Sequence, residues 1–175
     1  MALEHALLVA LRERPASGLE LARRFDRSIG FFWHATHQQI YRVLARMESD
    51  GWVDADRVTP PGRPPRKEYA VSARGRDVLA DWLAGDTAVD PLRSELAVKL
   101  RGASYGDRSA VRSLVERHLA EHATRLAGYR QMAAEQYPEP DRLAGADRDR
   151  YLVLRGGIRL EQFWTGWLTE YLEET

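Results

Sequence analysis

The sequence predicts a mainly α-helical protein with one short β-hairpin. Over most of the 175-residue chain, apolar residues recur at three- and four-residue steps, the spacing of amphipathic helices. Only residues 52–71 show the alternation that is typical of strands. The 44% hydrophobic content is ordinary for a folded domain. We therefore expect several packed helices and a two-stranded hairpin near residue 60.

Two helices are predicted before residue 28. The first ends before Pro15, because proline cannot continue a helix. The second opens with Ser17 and Glu20, which are spaced as a capping box that satisfies free amides of the first turn. Leu21 and Phe25 place its apolar side towards a shared core. The apolar stripe of the first helix consists of Leu3, Ala6, Leu7, Ala10 and Leu11.

A third helix is predicted from Thr36 to about residue 50. Thr36 and Gln39 form another capping box, and Gly51 suits the helix end because glycine accepts a left-handed backbone. One face is apolar and directed at the core, through Ile40, Leu44 and Met47. The outward side chains of its first two turns are His37, Gln38, Tyr41 and Arg42.

Two strands follow, joined by a stiff and basic loop. The strands are predicted at 52–58 and 67–71, and the prolines of the loop at 60–65 lack amide donors for a ladder. Between Arg57 and Arg76 there are six basic residues and one acidic residue, a balance of 6 − 1 = +5 in a chain of zero formal net charge. Such a patch favours a phosphate-bearing partner.

Helix and hairpin together predict a winged helix-turn-helix, with three helices, a two-stranded wing and a recognition helix beginning at Thr36. Amides, an imidazole, a phenol and a guanidinium are the groups that contact base edges and phosphates in a major groove. Arg46 is a weaker candidate, because it can pair with Asp50 one turn later. The expected DNA-binding residues are His37, Gln38, Tyr41, Arg42, Arg63, Arg66 and Lys67.

The segments IYRVLARMESDGWV and GRPPRKEYAVSARG resemble the PadR family of bacterial transcription regulators. The resemblance spans the chain and is strongest from Gln38 to Gly75. It implies that the third helix enters the major groove, that Tyr41 lies at the DNA backbone and that Arg63 through Lys67 follows the adjacent groove. It also implies a repressor that a small, often aromatic, effector releases from DNA. The longer segment between the second and third helices leaves the angle between them open.

A domain boundary is predicted at residues 85–91, which contain glycine, aspartate and proline. The expected domains are a DNA-binding domain at 1–84 and an all-α domain at 85–175. The second domain has three predicted helices. They are marked by Leu92 to Leu100, by the apolar positions from Val111 to Leu126, and by Asp147 to the end.

The last helix carries a wide apolar stripe. In a dimer, two recognition helices about 34 Å apart can enter successive major grooves on one face of DNA. We therefore expect a homodimer that binds an inverted repeat in double-stranded DNA. The alternative is that the stripe packs within its own chain. The expected dimer interface is Leu160, Phe163, Trp164, Trp167, Leu168 and Tyr171. Trp82, Trp164 and Trp167 are also candidates for an effector pocket, although core packing is the default for any one tryptophan.

Two patterns raise other functions. Ser104 lies in a G-x-S-x-G pattern, but helical periodicity precedes it where a hydrolase needs a strand, so a helix-ending loop is favoured. His118 and His122 have a metal-binding spacing without a third ligand, which favours a solvated helix face. We therefore expect that the protein is not an enzyme and that it binds no cofactor or metal. A protein-binding adaptor on the same scaffold is the main alternative.

Composition adds two expectations. The chain has no cysteine, which excludes disulfides and thiolate metal sites and suits a reducing compartment. It shows no signal peptide pattern and no apolar run of membrane-spanning length, so a cytoplasmic protein without membrane contact is predicted.

Overall fold

The computed structural model describes residues 3–27, 35–59, 65–89 and 93–175. The chain divides into two compact units, Met1–Val89 and Asp90–Thr175. The predicted boundary after residue 84 lies close to this division. Three features of the sequence prediction fall outside the described residues: the stiff loop at 60–64, residues 28–34 of the longer segment between the second and third helices, and Leu92.

The described residues of the N-terminal unit form four helices and three strands. In chain order these are α1 (Leu3–Glu13), β1 (Ala16–Ser17), α2 (Gly18–Arg27), α3 (His37–Ser49), β2 (Val53–Val58), β3 (Arg66–Val71) and α4 (Ala73–Ala84). The sheet is antiparallel in the order β1-β3-β2. The prediction of a two-stranded sheet was therefore incomplete, because a strand of two residues is too short to show periodicity.

The predicted caps and helix faces are confirmed. The amide of Gln39 donates to the Thr36 hydroxyl at 3.2 Å, and the Thr36 amide donates to the Gln39 side chain at 2.8 Å. Ser17 and Glu20 form the same reciprocal pair at the start of α2. Gly51 has a φ of 70°, so the chain leaves α3 through a left-handed residue. The capping box at Thr36 thus fixes the start of α3, and the turn at Gly51 fixes its end.

The core of the N-terminal unit lies between the first three helices and one face of the sheet. Its apolar side chains shield the buried side of α3 completely, so only the opposite side of that helix faces solvent. The largest fully buried side chains are Leu7, Leu8, Leu11, Leu21, Phe25, Ile40, Leu44 and Met47.

From residue 93 onwards, the C-terminal unit is all α. It contains α5 (Glu95–Arg101), α6 (Arg108–Gln136) and α7 (Gly145–Glu174), with short 3₁₀ turns at Ala103–Tyr105 and Pro140–Arg142. The two long helices pack against each other, and α5 covers one end. Ser104 lies in the turn that follows α5, where a helix-ending loop was predicted. No helix in the described part of the chain is long and apolar enough to cross a membrane.

Candidate nucleic-acid interface

The solvent side of α3 presents a straight row of side chains. At roughly 100° per residue, positions 38, 42, 45 and 49 lie opposite the buried face of this helix, and all four are exposed. Gln38 and Arg42 were predicted to bind DNA, and neither has an intramolecular partner within the described residues. Ala45 and Ser49 were missed. Their small side chains leave room for a close approach of the helix to another surface.

Tyr41 and His37 lie on one flank of this row. Tyr41 is 47% exposed, and its ring packs over Gly18 at the first position of α2. A Cβ atom at Gly18 would overlap that ring. Glycine at this position therefore seats the phenol, a relationship that the sequence did not reveal. His37 is exposed in the first turn of α3.

The register of the hairpin decides which wing residues face α3. Directly opposed residues share one face of an antiparallel sheet, and that face alternates along each strand. The opposed pairs on the inner face are Val53 with Val71, Ala55 with Tyr69, and Arg57 with Lys67. The valines and Tyr69 are buried in the core. Arg57 and Lys67 therefore extend the core-facing side of the sheet outwards, beyond the core and on the side of α3.

Lys67 connects the wing to the recognition helix. Its Nζ donates to Oε2 of Glu48 on α3 at 2.6 Å and lies 5.6 Å from the ring centre of Tyr69. The hydrogen bond to Glu48 raises the pKa of Lys67, so the ammonium is charged at neutral pH. The side chains of Lys67 and Glu48 are 50% and 36% exposed. The outer end of the wing and the solvent flank of α3 thus meet in one surface.

Arg66 is held by a different set of contacts. Its Nη1 donates to Glu20 Oε1 at 2.9 Å and its Nη2 to Glu68 Oε2 at 3.3 Å. Glu20 also accepts from the amide and hydroxyl of Ser17, and these bonds, the backbone one first, together with Arg66 hold the pKa of Glu20 below its ordinary value. Arg66 therefore fastens β3 to the start of α2 in this structure.

The remaining basic residues separate into bound and available groups. Arg46 pairs with the buried carboxylate of Glu4 on α1 and not with Asp50, which the sequence offered as a possible partner. Arg57 and Arg74 are exposed and have no partner within the described residues. Arg63 lies outside the described residues. Arg42, Arg57 and Arg74 are thus exposed cations without a partner among the described residues, and Lys67 is an exposed cation with one carboxylate partner.

The predicted dimer residues have different environments. Leu168 is completely buried with Leu96, Leu100 and Val115, so it belongs to the core of its own unit and offers no surface to a partner. Leu160 and Phe163 are 55% and 53% exposed. Trp164, Trp167 and Tyr171 are partly buried and pack against that core. The stripe is therefore partly packed within its own chain and partly exposed, and its contact with a second subunit stays a prediction.

The candidate pocket tryptophans belong to different units. Trp82 lies on α4 of the N-terminal unit, is 43% exposed and stacks on His5 at a centroid distance of 4.5 Å. Trp164 and Trp167 lie on α7, with their rings 5.5 Å apart. The structure describes each group separately, and a shared pocket stays a prediction.

His122 is not on a solvated helix face, and that prediction was wrong. It is buried between α6 and α7, where its Nδ1 lies 2.5 Å from Glu161 Oε2 and 2.9 Å from Arg125 Nη2, and its ring stacks on Trp164 at 5.1 Å. Arg125 holds the other carboxylate oxygen of Glu161 at 3.3 Å. The sequence contained a signal, since His122 continues the apolar spacing from Val115. The described residues contain no group of three metal-ligand side chains.

Two family models cover most of the chain. The model described as "Transcriptional regulator PadR-like family" matches residues 7–81, and "Virulence activator alpha C-term" matches residues 92–175. A "probable transcriptional regulator" of Mycobacterium tuberculosis is 49% identical over 99% of this chain and 97% of that protein. The chain belongs to the PadR-like family of transcriptional regulators.

Solved structures of the family have the same architecture. The Vibrio cholerae virulence activator AphA is 31% identical, with a TM-score of 0.80 over 98% of this chain and 96% of that one. Bacillus subtilis PadR, solved in complex with operator DNA, is 24% identical, with a TM-score of 0.87 over 99% of both chains. The second likeness concerns the fold alone. Together they confirm the predicted winged-helix unit followed by a helical unit.

Family membership also decides between classes of protein. The PadR-like relatives are transcriptional regulators and not enzymes, which confirms the non-enzymatic prediction. The hydrolase reading of Ser104 is therefore dismissed. The residue-by-residue DNA contacts and the effector residues are a separate matter, and they stay predictions.

Proposed function

We propose that this protein is a dimeric repressor that binds an inverted-repeat operator through α3 and the wing and leaves it when a small molecule binds. One observation carries the DNA-binding part. Gln38 and Arg42, which have no partner in the described part of the chain, lie on the solvent side of α3, and Lys67 at the outer wing contacts Glu48 of the same helix. A single duplex can therefore reach both elements.

The two elements have different expected roles. Gln38 and Arg42 present an amide and a guanidinium near the N-terminal end of α3, and such groups pair in bidentate fashion with adenine and guanine edges. Arg57, Lys67 and Tyr41 lie along one flank of this row and are suited to phosphates, which position a protein without reading sequence. Arg63, from the loop outside the described residues, is proposed to contact DNA phosphates as well. His37 is proposed as a flanking contact.

The relatives support this function in their own names. Bacillus subtilis PadR is a negative transcriptional regulator, 26% identical over 97% of this chain and 95% of that protein. It has been solved with operator DNA and with p-coumaric acid. The related AphA is named a virulence activator, so the direction of regulation is decided by experiment. A reporter gene placed behind an operator that this protein binds should lose expression when the protein is present.

The first experiment is selection of bound sequences from random DNA, followed by titration at several salt concentrations. We expect an enriched inverted repeat whose affinity falls steeply with salt. Arg42→Ala should cost about 1–3 kcal/mol and relax the base preference at one position of each half-site. Arg101→Ala, in the C-terminal unit, is the control. A folded protein that enriches no sequence would reject this function and favour the adaptor.

The dimer is proposed to form through the exposed part of the α7 stripe, with Leu160 and Phe163 at its centre. Trp164, Trp167 and Tyr171 have remaining exposed area at its edge. Sedimentation of Leu160→Glu and Phe163→Glu variants should show monomers, while Val98→Glu on α5, at a still more exposed apolar site, should remain dimeric. Monomeric wild type would reject the dimer. Phenolic acids added to the operator complex test effector release.

A further inference from the structure

We propose that Glu48 competes with DNA phosphate for Lys67 and thereby limits how tightly this protein binds its operator. The inference rests on the proposed function and deepens it. It assigns a role in DNA affinity to an acidic residue of the recognition helix. Glu48 makes no favourable contact with DNA phosphates. Its effect is to reduce the net positive charge that the wing presents to DNA.

The geometry makes the contact exchangeable. The Nζ of Lys67 and Oε2 of Glu48 are 2.6 Å apart, but both side chains are substantially exposed, so water and phosphate can reach them. Exposed ion pairs of this kind contribute little to stability, because solvent screens them and ordering two long side chains costs entropy. A phosphate oxygen can therefore replace the carboxylate at small cost to the fold.

The neighbouring charges explain why the pair forms in the free protein. Arg57 lies directly opposite Lys67 on the same face of the hairpin, and like charges in that position repel. Glu48 offsets this repulsion. Its hydrogen bond also raises the pKa of Lys67, which is the sign expected for a stabilised ammonium.

DNA binding at this position has a cost with either arrangement. If Lys67 keeps its bond to Glu48, the pair carries no net charge and displaces no counterion from DNA. If Lys67 moves to a phosphate, Glu48 is left as an uncompensated negative charge beside a polyanion. Removing the carboxylate charge eliminates both costs, because Lys67 then contributes a full positive charge to the contact.

Arg66 provides the internal contrast. It is bound by two carboxylates, Glu20 and Glu68, and Glu20 is itself fixed by Ser17. Arg66 cannot reach a phosphate without giving up contacts that hold β3 to α2. Lys67, with one exposed carboxylate partner, is the cation of the two that exchanges.

The test is a titration of operator DNA with Glu48→Gln, which keeps the shape of the side chain, and with Glu48→Ala as a second variant. We expect binding roughly two- to tenfold tighter than wild type, and a slope of log K against log salt steeper by about 0.9. In a Lys67→Gln background the same change should have little effect. Asp54→Asn is the control, since it removes an exposed charge from the other face of the hairpin.

The outcomes are distinct. Tighter binding that depends on Lys67 supports the competition. Unchanged or weaker binding by both Glu48 variants, or equal tightening in the Lys67→Gln background, would overturn it while leaving the proposed function intact. Wild-type protein that binds no DNA sequence would overturn the proposed function and this inference together. Circular dichroism of each variant establishes that the fold is unchanged.

Discussion

The ring of Tyr41 on α3 packs directly over Gly18, the first residue of α2. A side chain at position 18 would occupy the space of the ring, so glycine there fixes where the phenol lies. The two residues belong to the two helices of the helix-turn-helix. Their contact therefore couples the placement of a candidate DNA-binding side chain to the packing of the helix that precedes it.

Gly18→Ala should weaken DNA binding without unfolding the protein. The added Cβ displaces the half-exposed ring of Tyr41, which can swing into solvent, while alanine is a better helix former than glycine. We expect a loss of about 1 kcal/mol in operator binding, roughly fivefold, as for one displaced hydrogen bond. Operator titration and thermal unfolding measure the two effects. In a Tyr41→Ala background, Gly18→Ala should change affinity no further, and an equal loss there would contradict the seating role.

Arg42 and Arg46 lie one turn apart on α3 and should respond in opposite ways. Arg46→Met leaves the buried carboxylate of Glu4 without its partner, and we expect a loss of about 1–2 kcal/mol in the free energy of unfolding. Arg42→Met should leave stability unchanged and reduce operator affinity. Urea denaturation and DNA titration of both variants form a matched comparison. Equal stability of the two variants would argue against a structural role for the Glu4 contact.

The difference between Arg42 and Arg46 shows which features can be predicted from the sequence and which cannot. The caps at Thr36 and Ser17 and the buried face of α3 were predicted because each depends on residues within a few positions of one another. The carboxylates that bind the cations are remote. Glu4 is 42 residues from Arg46, and Glu48 is 19 residues from Lys67. Which cation is bound and which is available follows from tertiary packing.

The seven predicted DNA contacts illustrate the same limit. Helical periodicity identified Gln38 and Arg42 as outward residues, and the structure leaves both without intramolecular partners in its described part. The charge count between 57 and 76 identified a basic hairpin but could not distinguish its two faces. That distinction needs the register, which places Lys67 on the side of α3 and Arg66 on the opposite face. Ala45 and Ser49 were missed because small side chains carry no chemical signal.

Glu20 should make the free energy of unfolding depend on pH in the acid range. The pKa of Glu20 is held below its ordinary value by the Ser17 amide, then by the Ser17 hydroxyl and Arg66. A carboxyl with a lowered pKa in the folded state contributes stability above its unfolded pKa, and this contribution is lost as the pH falls through the folded value. Glu20→Gln should thus flatten the decline in unfolding free energy between about pH 5 and pH 3.

The control for this measurement is Glu121→Gln on α6, an exposed carboxylate without a partner in the described residues. Denaturation of the three proteins across the acid range decides the matter. Parallel acid limbs for wild type and Glu20→Gln would show that the Ser17 and Arg66 contacts do not stabilise the charged form. Steepening in the variant would have the wrong sign for the contacts observed.

The buried pair of His122 and Glu161 should stabilise the packing of α6 on α7. Glu161→Ala removes the buried carboxylate that contacts both His122 and Arg125, and a buried polar group that loses its partner costs about 1–3 kcal/mol. Hydrogen exchange of the α6 and α7 amides provides a readout confined to the C-terminal unit. Exchange should be faster in this variant than in Glu116→Ala, which removes an exposed carboxylate from α6.

A double replacement separates pairing from packing at the same site. Substituting His122→Phe together with Glu161→Met removes both polar groups and keeps apolar volume beside Trp164. Replacing a buried polar pair with apolar groups of similar size is often neutral or stabilising, so the double variant should recover most of the protection lost by Glu161→Ala. If the double variant were as destabilised as Glu161→Ala, the cost would come from altered shape in the α6–α7 contact, and the unpaired imidazole would not be its cause.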